Sequence, residues 1–382
     1  MHLAVELGGA GRHPGAWRLP GSDAAGLFTA EHHLSLVRTA ARGGLDFVAL
    51  TDSFVPPGDD PDALRGSLDA VAIAARVAPV VLGIGLVPTA TVTHTEPFHV
   101  SKAIATLDLV STGRVGWEPA VSRTQAEADL FGRKDAAGSE ELWCEASDAI
   151  DVVVRLWDSW EDDAEIRDEP TGRFVDRDKL HYIDFTGEFF SVKGPSITPR
   201  SPQAHPPIVL RGDEPSAVPV AARWADVVRI AAPTVTAAGE LREAIRTAVG
   251  DAGRDPDAVT VLLDVETLVG DDLARLDALA PAGADTGTRG LRYVGDAAGL
   301  ATWLRDARSV ADGFTLVPLA LPSGLDRIVD DVLPALGADW VPAPEATLRE
   351  RFGLARPANR YAQAAPAQAA PAQAAPAQAA PA

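Results

Sequence analysis

Three clusters of polar residues follow short apolar runs, at places where a strand would hand over to a loop. Thr51-Asp52-Ser53-Phe54 comes after Phe47–Leu50, Pro88-Thr89-Ala90-Thr91-Val92-Thr93-His94 after Val80–Val87, and Glu118 directly after Arg114–Trp117. A carboxylate, a row of hydroxyls, an imidazole and a second carboxylate drawn to one rim would line a pocket able to hydrogen-bond a small molecule. Each also has a plainer use: Asp52 as a helix cap or turn residue, Thr89, Thr91 and Thr93 as a β-branched strand extension, Glu118 as a solvated carboxylate. Other chemistries have no footing, since no phosphate loop, GxGxxG, HExxH or GxSxG segment occurs. The eight histidines, His2, His13, His32, His33, His94, His99, His181 and His205, have no acidic partner at a persuasive metal-binding spacing, and no metal is expected. The single cysteine, Cys144, excludes an intrachain disulfide and a cysteine-rich metal site.

The elements that must position these residues alternate. Leu3–Leu7, Phe47–Leu50, Val80–Val87, Arg114–Trp117, Pro207–Leu210, Val227–Ile230, Val259–Val265 and Gly313–Val317 read as strands. Between them Thr29–Arg42, Asp62–Val77, Pro97–Leu109, Glu140–Trp160, Pro215–Ala225, Thr236–Ala252 and Gly299–Val310 read as amphipathic helices, followed by Gly324–Leu336. Strand, helix, strand at this rhythm predicts parallel pairing with right-handed crossovers, and eight such units close a (β/α)8 TIM-type barrel, with a doubly wound open sheet as the alternative. The stretch 161–206 breaks the rhythm and reads as a hairpin-bearing insertion turning at Thr186-Gly187, expected at the end of the barrel away from the chemistry or at a subunit interface. The folded unit is expected over 1–361. From Ala362 to Ala382 the chain repeats Ala-Gln-Ala-Ala-Pro; a proline every fifth residue forbids a regular helix, which predicts a disordered tail.

Bulk properties bound the partners. Of 382 residues 46% are hydrophobic and 23% charged, which predicts a globular protein with a large core, and the formal charge of −20 argues against nucleic acid or an anionic membrane as partner. No apolar run approaches the roughly 20 residues that cross a bilayer. Met1–Glu6 lacks the basic start of a signal peptide, so a cytoplasmic location is expected.

Longer motifs carry a resemblance. Leu156-Trp157-Asp158-Ser159-Trp160-Glu161-Asp162-Asp163-Ala164, Gly172-Arg173-Phe174, Asp178-Lys179-Leu180-His181 and Phe189-Phe190-Ser191-Val192-Lys193-Gly194-Pro195 resemble the bacterial-luciferase-like flavin monooxygenases, in the branch of nitrilotriacetate and dibenzothiophene-sulfone monooxygenases. Thr95-Glu96-Pro97-Phe98-His99, Ser111-Thr112-Gly113-Arg114-Val115-Gly116-Trp117, Ala221-Ala222-Arg223-Trp224-Ala225-Asp226 and Thr347-Leu348-Arg349-Glu350 extend the match in order along the chain. The resemblance implies a two-component enzyme that takes reduced FMN from a separate flavin reductase, uses O₂ to oxygenate a small organic substrate, and forms a homodimer or larger homo-oligomer. It implies that Asp52 and Thr89 hold the flavin ring. His13 or His94 would orient the substrate or the activated oxygen, and Trp17, Phe54 and Phe98 would form apolar walls beside Glu118.

The family pattern is broken near the flavin phosphate. Glu118 replaces an Asn, Ser139 and Trp143 replace a His and a Tyr, Glu214 replaces a phosphate-binding Ser, and Ala217 replaces a Gly. A carboxylate repels a phosphate dianion. Either Arg211, Arg123 or backbone amides at the start of the fifth helix take over the anion, or the pocket has lost flavin and the chain is a non-catalytic barrel paralogue or partner subunit. A deazaflavin-dependent oxidoreductase on the same barrel is a third reading. The region Asp285–Tyr293 reads as a trimmed loop over the mouth without a strand.

Overall fold

The computed structural model describes residues 1–55, 62–337 and 346–362. The strands are β1 His2–Leu7, β2 Phe47–Leu50, β3 Gly85–Thr91 and β4 Glu118–Ala120; then the hairpins β5 Glu165–Asp168 with β6 Arg173–Val175 and β7 Phe185–Thr186 with β8 Ser191–Val192; then β9 Val209–Arg211, β10 Val227–Ile230, β11 Thr260–Val269, β12 Leu291–Gly295 and β13 Gly313–Pro318. Parallel pairing runs in the order β4-β3-β2-β1-β13-β11-β10-β9. The two ends of this series meet at Trp117, whose amide donates to Pro207 O at 2.9 Å and whose carbonyl accepts from Val209 N at 2.8 Å, so the eight strands come round into the expected barrel.

Helices pack outside because each buries one stripe. Ala30–Gly43 is started by the Thr29 side chain accepting from His32 N and stopped by Gly44 at φ 72°, and it turns Leu34, Leu36, Val37 and Ala40 onto β1 and β2. Inside the barrel the period of two along a strand builds the site. Ala4, Phe47, Val87, Val209, Val227 and Leu262 share an apolar floor with Leu348 and Phe352 of the C-terminal segment. Two residues further along, the same inward rows carry Glu6, Thr89, Arg211, Arg229 and Asp264. The floor is dry and the carboxyl end is charged, the polarity of a barrel that does chemistry at its upper rim.

Several expectations need correction. The region read as a trimmed loop contains β12, which pairs parallel with Val265–Val269 of β11 on the edge that β10 leaves free beyond Leu263. The helix expected over Asp62–Val77 begins only at Ala70, because Gly66 at φ 96° interrupts it and Asp69 caps Ala72 N. β3 begins at Gly85 and β4 at Glu118, each shifted toward the carboxyl end. The insertion carries two hairpins where one was expected. Its base is tied to the lower end of the barrel, where Arg200 meets Asp158 at 2.8 Å and Asn359 Nδ2 donates to Trp160 O at 2.8 Å. Its β7–β8 tip climbs the side, so that Phe189 and Phe190 reach the cavity beside His94. Of the expected tail only Ala362 falls within the described residues. Among the described residues no helix is long and apolar enough to cross a membrane.

Candidate active site

At the carboxyl ends of β1, β2, β3, β4, β9 and β13 lies a cavity of about 430 Å³. That is within the roughly 300–1,000 Å³ of small-molecule sites. Asp52, Thr89, Glu118 and Arg211 line it, with Glu6, Arg12, His33 and Arg289. The segment after β1 comes close because Gly11 sits at φ 116° against the backbone of Leu319, where a Cβ would lie 2.6 Å from the carbonyl oxygen. That approach lets Arg12 N donate to Pro318 O at 3.0 Å and turns the Arg12 side chain to the cavity.

Beneath the cavity is a buried ionic cluster. Arg229, fully buried, donates to Glu118 at 2.8 Å, Glu6 at 2.5 Å and both oxygens of Asp264 at 3.0 and 2.8 Å. Burial acts to lower the pKa of this guanidinium; Asp264, Glu118 and Glu6 outweigh it and hold the pKa well above the ordinary arginine value. Burial likewise acts to raise Asp264, but Arg229 and Arg211 keep it below the usual carboxylate range. Glu118 is therefore not the solvated carboxylate that its position suggested; it is buried and paired. Arg211 is also engaged, with Asp264 at 3.0 Å and Asp213 at 3.3 Å.

Asp52 accepts Ser53 N at 2.8 Å on one oxygen and Ala70 N at 2.9 Å on the other, so it ties the loop to the next helix while facing the cavity; burial raises its pKa. Thr89 is buried on β3 and faces the same space. These two residues also border an apolar groove of about 440 Å³ lined by Phe54, Val71, His99 and Ile104.

Four expected residues stand elsewhere. His13 is fixed between Gly15 N, which donates to its Nδ1 at 3.1 Å, and Asp277, 3.0 Å from its Nε2, so the ring proton lies on Nε2 and points away from the cavity. Trp17 packs with Leu27, Leu268 and Leu276 in a separate cluster. Phe98 packs on Val152, Leu156 and Ile183 of the outer layer. His94 stacks on Phe131 at 4.8 Å, opens into a different cavity with Lys134 and Phe190, and is lowered in pKa by burial and then by Lys134. The residues that sequence reasoning missed are Glu6, Arg229, Asp264 and His33. The first three announced themselves as charges inside otherwise apolar strands, His2–Leu7, Val227–Ile230 and Thr260–Val269. His33 gave no signal beyond its residue type; its Nε2 is buried without a partner and burial lowers its pKa.

Over residues 10–318 the chain matches the family model for luciferase-like monooxygenases. The chain belongs to that family. It is 30% identical to nitrilotriacetate monooxygenase component A of Aminobacter aminovorans, covering 95% of this chain and 98% of the relative. Against N-acetyl-S-(2-succino)cysteine monooxygenase of Bacillus subtilis (strain 168) it is 29% identical with the same coverage. Among solved structures, long-chain alkane monooxygenase superposes with a TM-score of 0.83 at 22% identity over 92% of this chain and 95% of that one. Membership makes the chain an oxygen-using monooxygenase, consistent with the reduced-flavin and O₂ chemistry of the family.

How well a luciferase-like flavin site fits the residues present differs between its two ends. The cavity at Asp52 and Thr89 has the size and mixed polarity for a flat ring system. The other end is taken. Glu214 accepts from Arg123 Nη1 at 2.9 Å, from Trp143 Nε1 at 3.1 Å and from Ser216 Oγ at 3.1 Å, and it is bonded to Ser139 as well. Arg123 and Arg211 both hold carboxylates already, and Pro219 in the helix Val218–Trp224 has no amide to offer. The residues present do not fit a terminal phosphate.

Proposed function

We propose that this protein is the oxygenase component of a two-component monooxygenase, binding a reduced flavin in the barrel-mouth cavity and oxygenating a small organic substrate with O₂. The observation that carries the reading is the cavity itself, bounded by Thr89 and Asp52 on one side and by the Arg12–Arg289 side on the other. A bound reduced flavin would supply the electrons that activate O₂ and deliver one oxygen atom to the substrate. The chain's own groups then bind, orient and exclude water. From β3, Thr89 Oγ1 would donate to the ring. Asp52, both oxygens partly engaged, keeps lone pairs for a ring N–H. Leu27, Phe28 and Leu64 supply apolar wall. His33 replaces His13 and His94 as the imidazole able to hydrogen-bond substrate. A separate flavin reductase as transient partner is supported by the name of the Aminobacter relative, a component of a larger system. A homodimer, as the family resemblance implies, and a cytoplasmic location belong to the same reading.

Anaerobic titration with reduced flavin tests the reading. Binding in the micromolar range is expected, followed, on admission of ¹⁸O₂ with organic amines, sulfides or polycarboxylates, by one labelled oxygen atom in the product. No binding tighter than roughly millimolar, about −4 kcal/mol, refutes it.

A further inference from the structure

The carboxylate of Glu214, in the loop after β9, gathers a set of donors that the proposed reaction does not use. One guanidinium, two hydroxyls and an indole N–H, from Arg123, Ser139, Ser216 and Trp143, converge on one carboxylate, Glu214. The Arg123 fork takes both oxygens. Such a set is what binds a small oxyanion, and here the oxyanion belongs to the chain. The cluster lies next along the chain from the flavin-sized cavity, because Ala120 and Arg211 of its wall end β4 and β9, and the loops that follow those two strands carry Arg123 and Glu214. Burial acts to raise the Glu214 carboxyl, but Arg123, Ser139 and Trp143 hold it at about 2, so at neutral pH it does not step aside by taking a proton.

We propose that Glu214 is a built-in substitute for the flavin's terminal phosphate, and that the flavin accepted by this chain ends in an uncharged ribityl hydroxyl, as riboflavin does, rather than in a phosphate ester. The inference rests on the flavin reading above and specifies its ligand. A phosphate at this rim would meet a fixed negative charge, and the nearby arginines, Arg123 and Arg211, are already neutralised by Glu214 and by Asp264 with Asp213. A terminal hydroxyl carries no charge for Glu214 to repel, so it can lie against this rim and leave the donor cluster intact.

The test is anaerobic titration of the full chain with reduced riboflavin and with reduced FMN, for the wild type, Glu214→Ser and Glu214→Gln. Wild type is expected to bind riboflavin at least as tightly as FMN. Glu214→Ser, which frees Arg123 and both hydroxyls, is expected to tighten FMN by roughly tenfold or more while riboflavin stays within about threefold. Glu214→Gln keeps the side-chain shape and removes the charge; it is expected to tighten FMN in the same direction by a smaller factor, and riboflavin affinity reports that both variants are folded. Wild type preferring FMN by about tenfold, or a ratio of the two flavins unchanged in both variants, overturns the proposal. Failure of both flavins to bind any of the three proteins overturns the flavin reading itself, an outcome distinguishable from the first.

Discussion

At Arg229 one guanidinium, fully buried, is gripped by Glu6, Glu118 and Asp264; at Glu214 one carboxylate, 29% exposed, is shared among Arg123, Ser139, Ser216 and Trp143. The two clusters belong to the same end of the barrel and use the same chemical groups, yet burial makes them different objects. At the first, Arg229 has left water and the three carboxylates nearly so, and each depends on the others, because a desolvated ion without a partner costs several kcal/mol. At the second, water reaches both partners, screening weakens the attraction, and a group can be exchanged at little cost to the fold. The inner cluster is thus suited to holding strands together and the outer one to deciding what may bind.

The largest effect should come from breaking the inner cluster. Arg229→Met leaves three carboxylates facing one another beneath the cavity, and a loss of about 3–5 kcal/mol is expected. Urea denaturation measures it. A loss below about 1 kcal/mol would mean that water or rearrangement already screens the site, and the contrast between inner and outer clusters would fail. Asp264 also gives this region a pH dependence: its carboxyl is depressed in the folded state, so its contribution is complete above the unfolded carboxylate pKa of about 3.9 and is lost as the pH falls below it.

A smaller effect separates ligand contact from support. Thr89→Val exchanges a buried hydroxyl for a methyl of nearly the same shape, and reduced-flavin binding should weaken by about 0.5–1.5 kcal/mol while stability changes by less than about 1 kcal/mol. Asp52→Ala is a poorer probe, since the same carboxylate ties Ser53 and Ala70. If Thr89→Val destabilised the protein without touching flavin affinity, Thr89 would belong with the supporting residues.

The limits of the sequence follow from the same geometry. β2 Phe47–Leu50 and β10 Val227–Ile230 have the bounds expected of them, because a parallel strand covered on both faces reads as an unbroken apolar or β-branched run. β12 Leu291–Gly295 was illegible: its residues are half-exposed, and it exists only because β11 is long enough to offer a free edge beyond β10. Asp52, Thr89, Glu118 and Arg211 line one cavity because a barrel gathers whatever follows or ends its strands at one rim. That rule says nothing about which way a loop turns afterwards, so His13 and Trp17, a few residues past β1, lie against Leu276 and Asp277 instead of the cavity. Phe98, expected in the wall, stands one residue into the helix Pro97–Ser111 and faces the insertion, whose tertiary position no local pattern encodes.

The smallest expected effect is the sharpest test of the outer cluster. Glu214 has its carboxyl lowered to about 2, against an unfolded value near 4.3, so its stabilising contribution is fully present above roughly pH 4.3 and lost only as the pH falls through about 2. Discounted for screening at a partly exposed site, the contribution is on the order of 0–1 kcal/mol. The difference in melting temperature between wild type and Glu214→Gln should therefore be small and constant from pH 7 to pH 5. A difference that changed over that interval would mean that the folded-state carboxyl titrates within it, above its unfolded value, and that Arg123 does not hold it. The rim would then have a free guanidinium for an incoming phosphate, and the distinction between a cluster that supports the fold and one that selects the ligand would have to be drawn elsewhere.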